Sequence, residues 1–221
     1  MANDLSVNVS WLFREPLTWY LLKNQVLKAL LETKYSGAGN VLRIWSAGCA
    51  SGEEAYTAAI LMHELLSTME SECRVQIIAT DIDEASLEKA RQGLYQADSL
   101  KNMPFGLLTK YFQNTSDGFL INPEVRKMVS FSKFDLLSTK HLAPPEGIFG
   151  SFEVVICQNV LIYYTRPAQE RIFSKVAKVI SPEGYLILGS SEHPLPSQRK
   201  VFQEVFKEVR IYRKIKQANG I

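Results

Sequence analysis

The sequence predicts an α/β fold: a mostly parallel sheet with helices on both faces, carrying a small inserted antiparallel β-subdomain. Three observations predict it. Compact β-rich runs, VLRIWSA (41–47), RVQIIATD (74–81), FEVVICQN (152–159) and YLILGSS (185–191), alternate with stretches of helical periodicity, the pattern that builds a parallel sheet from strand–helix–strand units. The first run leads into a turn of small residues and glycines, SAGCASGEEAY (46–56). The rhythm then breaks between Gly93 and Phe134.

Taken in order, Glu15 and Pro16 open a helix with Leu17, Tyr20, Leu21, Leu27, Leu30 and Leu31 at helical spacing, and Pro16 suits a first-turn position. The loop signal Ser36-Gly37-Ala38-Gly39-Asn40 ends it. A helix from about Glu53 through Leu66 follows the first strand, and one through Arg91 follows the second. After two short helical pieces, GFLIN (118–122) and KMVSFSKF (127–134), placed around Pro123, read as the antiparallel insertion. The wound pattern resumes with 152–159, a helix from Pro167 to about Ile180, a turn at Ser181-Pro182-Glu183-Gly184, and 185–191. Two strand-like runs between Val201 and Tyr212 suit a closing hairpin. The organisation predicted is an N-terminal segment and helix completing the site (1–39), a core (40–95 and 135–221), and an inserted β-subdomain (96–134).

Composition narrows the class. With 221 residues, 46% of them hydrophobic, the chain buries one sizeable core. A net charge of +2 gives no bulk attraction to nucleic acid. The basic stretch Arg210 to Lys216 interleaves with Ile211, Tyr212 and Ile215 as a half-buried strand does. Cys49, Cys73 and Cys157 lie far apart, without metal-ligand or disulfide-framework spacing, which fits a reducing cytoplasm and no metal. The N-terminus lacks the pattern of an export signal, and no apolar run has the length of a membrane span.

Ligands of wound sheets bind at the carboxyl ends of the strands. There, Gly48-x-x-x-Gly52 departs from the G-x-G-x-x-G of dinucleotide sites. Glu53 and Glu54 would stand in the first turn of the next helix, where its dipole favours acids. An acid there also repels a pyrophosphate and suits a cofactor bearing a sulfonium and an ammonium. Asp81 ends the second strand, where a carboxylate can accept from both hydroxyls of a ribose, and Asp83 is the competing candidate or else a helix cap. Asp135, in FDLL (134–137), is placed to meet an adenine edge or to form a turn. Gln158, Asn159 and Tyr163 of CQNVLIYY (157–164) reach the same edge, although a tyrosine there can equally be core.

With these motifs laid out, the chain resembles the CheR family of chemoreceptor glutamate methyltransferases over nearly its whole length. The matching stretches are NVSWLFREP (8–16), RIWSAGCASGEEAY (43–56), IIATDIDEASLEKARQGLY (77–95), LLTKYF (107–112), FDLL (134–137), CQNVLIYY (157–164) and SPEGYLILGSSE (181–192). The resemblance implies a class I S-adenosylmethionine-dependent methyltransferase, with a Rossmann-like seven-stranded sheet and an inserted β-subdomain. It implies methyl transfer to glutamates of the cytoplasmic signalling domain of methyl-accepting chemoreceptors, leaving S-adenosylhomocysteine. It places Asn8, Ser10, Arg14, Ala47, Gly48, Glu53, Asp81, Asp135, Leu136, Gln158 and Asn159 at cofactor positions, and Arg14 and Tyr163 beside the transferred methyl. Ser10 stands where threonine is usual.

Three departures stand out. The family's CRN reads CQN, so neutral Gln158 replaces a guanidinium. The N-x-[ST] segment begins at residue 8, so most of the helical domain that usually precedes it is missing. The stretch YFQNTSDGFLIN (111–122) keeps only Gly118 of a glycine-rich loop and has no arginine, which implies a member independent of a receptor pentapeptide. Alternative readings are the same core acting on another protein or small molecule, and a non-catalytic module that binds the cofactor.

Overall fold

The structure, a computed structural model, describes residues 10–33, 40–145 and 150–215. The first helix comprises α1 (Pro16–Leu21), a π-helical stretch (Leu22–Leu27) and α2 (Lys28–Thr33). Its buried face carries Trp19, Leu22, Val26, Leu27, Leu30 and Leu31, while Leu17 and Tyr20 are 50% and 63% exposed. The expected apolar face is therefore corrected in its first turn. A π stretch takes more residues per turn than an α-helix, so the stripe before it is out of phase with the stripe after it.

β1 (Val41–Ala47) leads to α3 (Glu53–Thr68), and β2 (Arg74–Asp81) to α4 (Glu84–Gln92). A three-stranded antiparallel sheet follows, in the order β3 (Leu94–Tyr95), β5 (Gly118–Ile121), β4 (Phe112–Thr115), with α5 (Phe105–Tyr111) running into β4. After α6 (Pro123–Arg126), β6 (Val129–Lys133) returns to the main sheet and pairs parallel with β2, Ile77 opposite Val129. The expectation that 127–134 pairs with 118–122 in the insertion is thus overturned. The strand partners of 118–121 are instead Phe112–Thr115 and Leu94–Tyr95, the latter too short to carry a periodicity.

β7 (Phe152–Cys157), α7 (Arg166–Val179), β8 (Ile180–Leu188), β9 (Phe202–Glu204) and β10 (Ile211–Lys214) complete the sheet, whose order is β6-β2-β1-β7-β8-β10-β9. The hairpin of β9 and β10 is antiparallel, and β10 pairs antiparallel with β8. The turn expected at 181–184 lies inside β8: Ile180 pairs with Phe152, the register shifts between Phe152 and Val154, and Glu183 takes φ +64°. Strand alternation sorts the side chains into two layers. Leu42, Ile44, Ile77, Ala79, Val154, Ile156 and Ile187 pack with α1 to α4. Trp45, Ala47, Ile78, Val155, Cys157, Leu186 and Leu188 pack with α7.

Successive crossovers run outward from β1 through β2 to β6 and from β7 to β8, so the sheet reverses between β1 and β7. The carboxyl ends at that reversal are where wound sheets bind ligands. Among the described residues, no helix is long and apolar enough to cross a membrane.

Candidate active site

At the reversal, the chain leaves β1 through Gly48–Gly52 with both glycines left-handed, φ +83° and +88°. A Cβ at Gly48 would stand 2.5 Å from Val160 Cγ2, and one at Gly52 2.9 Å from Ala90 Cβ. Glycine is needed twice over, for its backbone freedom and for the close approach. The turn is pinned to β2: Gly48 and Cys49 N–H donate to the Thr80 carbonyl at 2.8 and 2.9 Å, and Ala50 N–H to Asp81 Oδ2 at 2.8 Å. The Tyr95 hydroxyl of the small sheet donates to the Ser51 carbonyl at 2.7 Å.

Asp81 Oδ1 also accepts from Asp83 N–H at 2.9 Å. Asp83 itself caps α4, accepting from Ala85 N–H at 3.1 Å and Ser86 N–H at 3.3 Å. The two aspartates thereby separate by role, Asp83 as cap and Asp81 at the turn. A carboxylate offers about four acceptor sites, so two backbone bonds leave Asp81 capacity for hydroxyls.

Glu53 is 4% exposed and its Oε2 has no partner among the described residues. Burial pushes its pKa up to about 7, against the opposing pull of its own backbone N–H and the Ser10 hydroxyl. Glu54 accepts from the Ser46 hydroxyl at 2.5 Å. Its pKa is pushed up to about 8 by burial and the nearby Glu192 carboxylate, opposed by Ser46, the Gln158 N–H and the Arg14 guanidinium.

Beyond β7, Gln158 Nε2 donates to the Leu188 carbonyl at 3.4 Å. Asn159 adopts φ +58°, and its Oδ1 is buried without a partner among the described residues. Tyr163 ends the 3₁₀ turn Leu161–Tyr163 and is 56% exposed at the rim. The buried Glu192 carboxylate holds this stretch, accepting from Asn159 N–H at 2.8 Å and Leu161 N–H at 2.7 Å.

The N-terminal segment lies across the same edge. Leu12 N–H donates to the Ser99 carbonyl at 2.8 Å, Phe13 N–H to Thr57 Oγ1 at 3.1 Å, and Ser190 N–H to Glu15 Oε1 at 2.9 Å. Leu12 and Phe13 are buried, and Phe13 and Glu15 take φ +55° and +56°. Arg14 rests with Cζ 4.7 Å from the Trp11 ring centroid, a cation–π contact.

The fold thus gathers Ser10, Arg14, Gly48, Glu53, Asp81, Gln158 and Asn159 at one edge. Ala47 and Leu136 also lie there, with their side chains buried in the α7 layer. Asp135 is exposed and accepts from Leu137 N–H at 2.8 Å, which is the turn-forming arrangement. Asn8 lies outside the described residues. The Cys49 and Cys157 thiols are buried with pKa values well above the ordinary range, which suits packing and not nucleophilic chemistry. His63 is half-buried and bonds Tyr111 Oη at 2.8 Å, away from this edge. Sequence reasoning missed Ser46 and Glu192; only the SSE ending of the matched segment 181–192 touched the latter.

Two buried acceptors without partners among the described residues, Glu53 Oε2 and Asn159 Oδ1, stand at this edge. An unmet buried polar atom costs about 1–3 kcal/mol, so such atoms fit a ligand that supplies donors. The acid-rich turn fits a cationic ligand, and Gly48 and Gly189 let Val160 and Asn159 approach the strand ends closely. A sheet reversing at β1 and β7, a glycine turn with acids after it, and an aspartate closing β2 together define the class I S-adenosylmethionine-dependent methyltransferase fold.

The chain matches, over residues 8–211, the family described as CheR methyltransferase, SAM binding domain; it belongs to that family, and its cofactor is S-adenosylmethionine. It is 33% identical over 87% of its length to the chemotaxis protein methyltransferase of Borreliella burgdorferi, spanning 66% of that protein. To chemotaxis protein methyltransferase 2 of Vibrio cholerae it is 33% identical over 87% of its length and 64% of that protein's. To the Escherichia coli chemotaxis protein methyltransferase it is 31% identical, over 86% and 63%. The chain therefore spans just under two thirds of these relatives.

Proposed function

We propose that the chain methylates glutamate side chains on the cytoplasmic signalling domain of methyl-accepting chemoreceptors, forming glutamate methyl esters and S-adenosylhomocysteine without need of a receptor pentapeptide. The observation that carries this reading is the N-terminal segment. Its bonds to Thr57, Ser99 and Ser190 hold Arg14 over the edge where Glu54 and the 157–164 stretch meet. The naming of the relatives as chemotaxis protein methyltransferases supports the acceptor class.

When bound, S-adenosylmethionine supplies an electrophilic methyl group on a cationic sulfonium. Asp81 would hold its ribose, Asp135 its adenine edge, and Glu53, Gln158, Asn159 and the Ser10 and Asn8 side chains the remaining polar groups, over a floor of Ala47, Gly48 and Leu136 backbone. A glutamate acceptor has an ordinary pKa of about 4.3, so at neutral pH it is already an ionised nucleophile and no general base is required. The work left to the protein is alignment and exclusion of water, worth on the order of 7–11 kcal/mol in favourable cases. Arg14 orients the acceptor carboxylate, and Tyr163 shapes the methyl pocket from the rim. A tight guanidinium–carboxylate pair would stabilise the ground state, so Arg14 acts by positioning.

The test is incubation with methyl-labelled cofactor and a receptor signalling fragment, followed by alkaline hydrolysis. A carboxyl methyl ester releases its label as volatile methanol; label that stays on the protein would contradict ester formation.

A further inference from the structure

Glu192 performs a task that none of the motif positions foretells. It is 4% exposed, and its carboxylate gathers four backbone donors from two separate stretches. Oε2 accepts from Gly189 N–H and Asn159 N–H, both at 2.8 Å. Oε1 accepts from Leu161 N–H at 2.7 Å and Ile162 N–H at 3.4 Å. The donors after β7 belong to the stretch that carries Asn159 and Tyr163, and the donor after β8 fixes the carboxylate itself.

That stretch needs fixing. Asn159 takes the left-handed backbone that turns the chain after β7, and the strand end after β8 approaches it closely. A Cβ on Gly189 would lie 2.9 Å from Asn159 N, 3.0 Å from Asn159 Nδ2 and 3.0 Å from Glu192 Oε2. The four bonds to one carboxylate hold the two strand ends together, and bonds to ionised groups are about twice as strong as neutral ones. We infer that Glu192 is a positioning residue: it holds the 159–163 turn so that Asn159 faces the cofactor and Tyr163 faces the transferred methyl. The inference rests on the proposed placement of Asn159 and Tyr163 in the site.

Calorimetric titration of the full chain with S-adenosylhomocysteine, beside thermal unfolding, tests it. Glu192→Gln presents an NH₂ group where one carboxylate oxygen accepted, so two donors meet a donor. The expected result is at least a tenfold loss of affinity in a protein that still unfolds cooperatively above the titration temperature. Tyr56→Phe removes the buried bond from Tyr56 Oη to the Ala90 carbonyl, 2.9 Å long and outside the site. That variant is expected to lower the melting temperature and keep full affinity, which separates positioning from general loosening. Gly189→Ala crowds the same contact from the other side and decides the matter should Glu192→Gln not fold. Asn159→Ala separates the two levels of the argument. If it binds normally, the site reading fails; if it binds weakly while folded Glu192→Gln or Gly189→Ala binds normally, the role of Glu192 fails.

Discussion

The Ser46 hydroxyl donates to Glu54 at 2.5 Å, and it does so on the side of the site where position 158 carries an amide. Burial and the Glu192 carboxylate raise Glu54 to about 8, and burial raises Glu53 to about 7, both from 4.5. Each folded carboxyl therefore holds a proton that the unfolded chain gives up. The unfolded state binds fewer protons across that window, so stability of the ligand-free protein falls as pH rises from about 4.5 through about 8 and levels off beyond. Denaturation by urea at about pH 5.5 and about pH 8.5 is expected to show the lower midpoint at the higher pH. Gln158→Arg adds a positive charge on the residue whose backbone N–H meets Glu54 and is expected to shrink the upper part of that dependence.

Gly48 faces Val160 as closely as any pair in the site, a Cβ there lying 2.5 Å from Val160 Cγ2 at φ +83°. Gly48→Ala combines left-handed strain of about 1–2 kcal/mol with overpacking of about 1–3 kcal/mol. A loss of at least about 2 kcal/mol in equilibrium denaturation is expected, partly recovered by adding Val160→Ala. No recovery would mean that backbone strain alone is responsible.

The two aspartates after β2 separate by assay. Asp83→Ala removes a helix cap and is expected to cost about 1 kcal/mol of stability while leaving cofactor affinity intact. Asp81→Ala removes the acceptor for Ala50 N–H and the proposed ribose contact, so affinity for S-adenosylhomocysteine is expected to fall at least tenfold. Equal binding by the two variants would contradict the assignment.

Arg14→Ala is expected to reduce methyl transfer by at least tenfold with a much smaller change in cofactor affinity, as a positioning role requires. Single-turnover rates measured at saturating cofactor check it, and unchanged turnover would end the proposal.

Much of this architecture is legible in the sequence because the central strands are buried on both faces and read as continuous apolar runs. VSFSK misled because β6 is an edge strand with half-buried, alternating polar residues, so nothing local distinguishes it from a strand of the insertion. The glycine turn and Asp81 are local features with a local mechanism and were readable as such. Glu192 was not: three of its four partners are backbone N–H groups some thirty residues earlier, and backbone donors leave no mark on sequence. Glu54 is legible as a first-turn acid, but its side-chain bond to Ser46 forms only once the glycine turn brings the start of α3 to the end of β1.

The central claim is that this chain esterifies glutamate. Its most direct test is tandem mass spectrometry of a chemoreceptor signalling fragment incubated with the protein and S-adenosylmethionine. The account predicts the mass gain of one methyl ester on glutamate-containing peptides, assigned to a glutamate side chain, lost after mild alkali and formed at least tenfold more slowly with Arg14→Ala. Methylation confined to lysine, arginine or other nitrogen atoms, stable to alkali, would contradict it.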